Sequence, residues 1–175
     1  MKKINLKVLV LVVVVSLVVF FAGNYLVNYY QINYALQGDL VAISGVKKVK
    51  ITKLETKYKL EISLNRVENL QQTFNQIKSR VKESLPEKEY KMTFVSEDYF
   101  KFEKLSNKVN LALYAAIETG KFLELEERMS IYQERYDLKK AKVQVDASYI
   151  YLSLVKGNDE IYKVINRKTG GENNG

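Results

Sequence analysis

Residues 8–27 read VLVLVVVVSLVVFFAGNYLV, twenty positions without a charge. At about 1.5 Å of rise per residue this is the length a helix needs to cross a hydrocarbon core of about 30 Å. The stretch therefore predicts a membrane-spanning helix, with Val8, Leu17, Phe20, Phe21 and Val27 among its anchoring side chains. Tyr25, Tyr29 and Tyr30 follow the apolar block, where an amphipathic phenol suits the headgroup region. Lys2, Lys3 and Lys7 precede it with no acid nearby, so the positive-inside bias keeps residues 1–7 in the cytoplasm and sends the rest of the chain outside. The expected location is the cell membrane, single-pass, with an extracytoplasmic C-terminal domain. Cleavage as a signal peptide is disfavoured, because Phe20 and Phe21 stand where a small residue is needed for a cut after Ala22 or Gly23.

The remaining residues of the 175 are enough for one domain with its own core. The net charge is +8, of which Lys2, Lys3 and Lys7 account for three, leaving a moderate +5 that suits an anionic surface and falls short of a nucleic-acid binder. With no cysteine and no histidine, disulfides, thiolate metal sites and the commonest general base are all excluded. There is no G-x-S-x-G, no S-x-x-K and no Gly-rich phosphate loop, so no catalytic residue, cofactor or metal is expected.

Periodicity predicts an α+β domain over residues 28–167. Tyr29, Ile32, Leu36, Leu40 and Ile43 recur at helical spacing, and Gly45 falls where a left-handed cap would end that helix. Residues 46–51 and 57–64 predict a hairpin, the second strand showing Tyr58, Leu60, Ile62 and Leu64 in alternation. Asn65 with Glu68 three residues later predicts a capping box, and Val67, Leu70, Phe74, Ile77, Val81 and Leu85 continue as a helix closed by Pro86. Tyr90, Met92 and Phe94 alternate as a third strand, completing an αββαβ part over residues 28–96. Glu97 and Asp98 are expected to open the next helix. A helical hairpin over 97–138 turns at Gly120, and a β part over 139–167 holds three strands with Lys156-Gly157-Asn158-Asp159 between the last two. Residues 168–175, rich in Gly and Asn, are expected to be a disordered tail.

An anchor helix followed by the order helix, strand, strand, helix, strand resembles the ferredoxin-like modules and the ring-building motif of membrane-anchored secretion and sporulation ring proteins. The resemblance covers about forty per cent of the chain and rests on element order, so it implies a kinship of fold and assigns no residue a role.

Three groups of side chains stand out. Lys47, Lys48, Lys50 and Lys53, with Lys57 and Lys59 beside them, are candidates for contact with an anionic surface, against the plainer reading of a solvated or aggregation-protected strand. Tyr149, Tyr151 and Tyr162 are candidates for a protein interface. In the strand holding the first two, Ile150, Leu152 and Leu154 point one way and Tyr149, Tyr151 and Val155 the other, so the sheet is either covered on both faces or docks a partner. Glu118, Glu124, Glu126 and Glu127 are dispersed by helical geometry, Glu124 being spaced to pair with Arg128. The expected function is a non-catalytic interaction or assembly domain, held at a membrane as a homo-oligomer or in an envelope complex, without nucleic acid. The alternative is a module that binds anionic lipid headgroups or envelope polymers through its lysines.

Overall fold

Alternation and helical stripes recur in a computed structural model, which describes residues 6–96 and 103–168, with the side chains of 7, 9–23, 34–96 and 104–168. The described elements are α1 (Leu6–Val41), β1 (Val46–Lys53), β2 (Lys57–Leu64), α2 (Leu70–Ser84), β3 (Glu89–Phe94), α3 (Glu103–Thr119), α4 (Phe122–Arg135), β4 (Lys140–Val145), β5 (Tyr149–Lys156) and β6 (Asp159–Asn166). They form an α+β fold with two three-stranded sheets, β1-β2-β3 and β4-β5-β6. The β1–β2 pair is antiparallel and β2–β3 parallel, as a crossover through α2 requires. The second sheet is an antiparallel meander.

The first helix corrects the anchor. Among the described residues no helix is long and apolar enough to cross a membrane. The transmembrane, signal-anchor and single-pass reading is overturned on this finding, and with it the placement at the cell membrane with a cytoplasmic N-terminus and an extracytoplasmic domain. Leu17, Phe20 and Phe21 are exposed side chains of α1. Val8, Val27, Tyr25, Tyr29 and Tyr30 fall outside the described side chains.

The other end of α1 belongs to the domain. Leu36 and Leu40 are fully buried, and Gln37 donates from Nε2 to the Val49 carbonyl at 2.9 Å, tying the helix to β1. Gly45 then turns the chain at φ +89°, a left-handed conformation that favours glycine. Even the space is taken there, since a Cβ would lie 2.8 Å from Val67 Cγ2. Leu36, Leu40, Val49, Leu60, Ile62, Met92 and the α2 stripe Leu70, Phe74, Ile77 and Val81 make the first core. A second core joins Leu105, Val109 and Leu113 of α3 and Leu125 and Met129 of α4 to Ile150, Leu152, Leu154, Ile161 and Ile165 of the second sheet.

Where α2 begins differs from the expected capping box. Asn69, not Asn65, is the N-cap, and its side chain accepts from the Gln72 amide at 3.2 Å. Residues 65–68 are held out of the helix by the second sheet: the Val67 amide donates to the Tyr162 hydroxyl at 2.9 Å, and Lys140 Nζ donates to the Val67 and Glu68 carbonyls at 2.9 Å each. Long-range bonds outcompete a local cap of similar strength. Glu97 and Asp98, and residues 169–175 of the expected tail, lie outside the described residues.

Candidate functional site

Sheet alternation decides where the lysines go. On β1 and β2, Val49 pairs with Ile62 and Ile51 with Leu60, turned inward against α1 and α2. The intervening pairs, Lys48 with Ser63, Lys50 with Glu61 and Thr52 with Lys59, are therefore turned out. On the other side of β2, Lys59 pairs with Lys91 and Lys57 with Glu89. The outer face of the first sheet thus gathers Lys48, Lys50, Lys57, Lys59 and Lys91 against two acids. Glu61 sits among them, bonded to Lys59 at 2.7 Å with Lys50 at 3.9 Å, and the Lys59 hydrogen bond holds its carboxyl below the ordinary range. Of the four candidate lysines, Lys48 and Lys50 lie on this face. Lys47, beside the register shift in β1, lines a hollow, and Lys53 lies at the strand end on the other face.

The tyrosines point into the molecule. Tyr151 and Tyr162 are buried, and with Tyr149 they pack on the first core. The Phe74 ring of α2 lies 4.9 Å from that of Tyr149 and 5.6 Å from that of Tyr151, both edge-on, while Phe94 of the first sheet lies 6.0 Å away. One side chain thereby joins the two sheets. The opposite face of β5 is covered by the α3–α4 hairpin, so this chain covers the second sheet on both faces.

Two polar centres were not apparent from the sequence. Asp146, between β4 and β5, accepts at Oδ1 from the Ser148 and Tyr149 amides, both at 2.7 Å, and at Oδ2 from the Tyr151 hydroxyl at 2.6 Å and Gln71 Nε2 at 3.4 Å. Burial pushes the Asp146 carboxyl up, but these four hydrogen bonds outweigh it and hold the group below the usual carboxylate range. Burial, reinforced by Asp146, raises the Tyr151 phenol. Glu160 accepts at Oε2 from the Arg66 amide at 2.6 Å and the Tyr162 hydroxyl at 3.0 Å. Burial raises the Tyr162 phenol too, against the bond from the Val67 amide. D-A-S at 146–148 is a recognisable Asx-turn, but its reach to Gln71 depends on the packing of α2, a distant element. Both centres join the halves of the domain, and Glu160 also lines a small hollow.

Two hollows among the described residues are small. One of about 90 Å³ is lined by polar groups including Lys47, Ser63, Asn65, Ser96 and Glu160, and another of about 60 Å³ by Asn110, Tyr114 and Lys163. Sites that enclose a cofactor or substrate run to roughly 300–1,000 Å³. Among the described residues no group of three or more acids is placed to hold a metal ion. Glu124 pairs with Lys121 at 2.8 Å instead of with Arg128. No family model, curated protein or solved structure matches the chain.

Proposed function

We propose that this chain is a non-catalytic assembly module, acting through exposed surfaces of a closed α+β domain. The observation that carries the reading is α1: its C-terminal turns are sealed into the core at Leu36 and Leu40, while Leu9, Val10, Leu11, Val12 and their neighbours as far as Phe21 are half exposed or more. A continuous apolar surface of this extent is the mark of a contact surface in a folded protein. The αββαβ order of the first half supports the same reading as an analogy of fold with the ring-building motif. One detail sets it apart from the ferredoxin-like type: β2 and β3 are direct parallel neighbours, so their β-α-β unit is not split by an intervening strand.

Sedimentation of the full chain in mild detergent over about a hundredfold concentration range tests the reading. The expected result is a mass that rises with concentration and falls when residues 1–27 are removed. A full chain that stays single throughout refutes it.

The lysine-rich outer face supports a second reading, a module for anionic headgroups or polymers. Retention on anionic but not neutral vesicles, lost steeply as salt rises, would favour it.

A further inference from the structure

Lysine on a sheet commonly guards an exposed edge against pairing with another chain. That accounts for Lys48 and Lys50 on the edge strand β1, but not for Lys57 and Lys59, which stand on β2 between two neighbouring strands. We propose that the outer face of the first sheet is a binding site for a flexible chain of phosphate groups, with lysines of all three strands holding successive phosphates. The inference rests on the anionic-surface reading, and it narrows that reading to one class of anion and to particular residues.

Register places the charges. Lys59 and Lys91 are direct neighbours across β2 and β3, about 4.8 Å apart at the backbone, and Lys57 lies two residues, or about 6–7 Å, before Lys59 on the same face. Lys48 and Lys50 are spaced in the same way on β1. Like charges set side by side on one face destabilise a sheet, and an anion lying between them reverses the sign. Glu61 does part of this within the chain, bonding Lys59 at 2.7 Å with Lys50 at 3.9 Å. Lys48, Lys57 and Lys91 have no ion pair among the described residues, so three ammonium groups of the face are open to an incoming anion.

The other members of the face decide the class of ligand. They are Thr52, Glu61, Ser63, Glu89 and Thr93, and alternation turns no aromatic or aliphatic side chain outward from the three strands. Nothing there stacks on a base, and nothing sinks into a lipid layer. The face offers ammonium point charges, which suit phosphate, with hydroxyls beside them. Its shape points the same way. Neighbouring strands are rotated by about 20–25°, so the face is a saddle, which a flexible chain follows and a flat bilayer meets only in part.

The test is the affinity of the full chain, in mild detergent, for fluorescently labelled inorganic polyphosphate, followed by anisotropy as salt is varied. With about three to five phosphates held, log affinity should fall against log salt with a slope of about −2 to −3.5, at about 0.7 per phosphate. Lys48→Gln, Lys57→Gln and Lys91→Gln together should weaken binding at least about tenfold and flatten the slope by about 2. Lys104→Gln, Lys139→Gln and Lys142→Gln remove the same charge from α3 and the start of β4, and should leave affinity within about twofold. Far-ultraviolet circular dichroism of each variant checks folding. If the sheet variant binds as tightly as the parent, or both triple variants lose affinity equally, this site is wrong. If anionic vesicles bind the chain and polyphosphate does not, the lysines serve lipid headgroups, so the anionic-surface reading stands and this inference falls. If neither binds at low salt, both fail.

Discussion

At the scale of the residue, Asp146 is committed on both carboxylate oxygens. Its carboxylate takes four hydrogen bonds from the chain around it. Replacing it as Asp146→Asn puts an amide donor against a donor, and bonds to a charged group contribute about 1.5–3 kcal/mol each, so a loss of about 2 kcal/mol is expected in urea unfolding at neutral pH. The sign with pH follows from the lowered pKa: the contribution is fully present above the ordinary carboxylate value of 3.8 and disappears as pH falls through the depressed folded value. The gap between parent and variant should therefore close in acid; a gap that is constant with pH would show that the charge is not the cause. Gly45 is the second such position. Gly45→Ala meets both a positive φ of +89° and Val67 at 2.8 Å, and a thermal unfolding scan should show a loss of about 1–2 kcal/mol. The glycine and its turn were legible in the sequence. Asp146 was legible only as a local turn with Ser148 and Tyr149, because Gln71 reaches it from α2 only in the folded chain.

At the scale of the element, the sheets were readable because one-sided burial imposes a period of two. Tyr58, Leu60, Ile62 and Leu64 alternate in sequence and are all buried in β2. The hairpin of α3 and α4 was equally plain from its two stripes and Gly120 at φ +72°. The start of α2 is not settled locally, because Asn65-x-x-Glu68 and Asn69-x-x-Gln72 both satisfy the rule for a cap, and only Tyr162 and Lys140, 95 and 73 residues downstream of Val67, decide between them. Asn69 also accepts from Gln144 Nε2 at 3.2 Å, so it serves helix and sheet together. Asn69→Ala should cost about 1–2 kcal/mol, while Asn65→Ala, off the helix, should cost only a few tenths; equal losses in denaturant titrations would contradict the cap.

At the scale of the molecule, the cores meet at α2 and the second sheet rather than standing as separate domains. Phe74 touches Phe94 on one side and Tyr149 and Tyr151 on the other. Phe74→Ala should therefore remove about 3–5 kcal/mol from both halves at once, seen as coincident shifts in tyrosine fluorescence and circular dichroism. Two separated transitions would mean the halves fold independently. The sequence left open whether the two β regions formed one sheet or two, since adjacent sheets and a continuous one demand the same alternation. The uncharged start suggests a membrane crossing by its hydropathy, whereas among the described residues no helix is long and apolar enough to cross one. Both faces of the β5 strand are closed, one by Phe74 and its neighbours and the other by the helical hairpin, and its two edges are paired to β4 and β6. In heavy water, then, β5 should be the last part of the chain to trade its amide protons for deuterium, and the opening needed to reach it should be the unfolding of the whole domain.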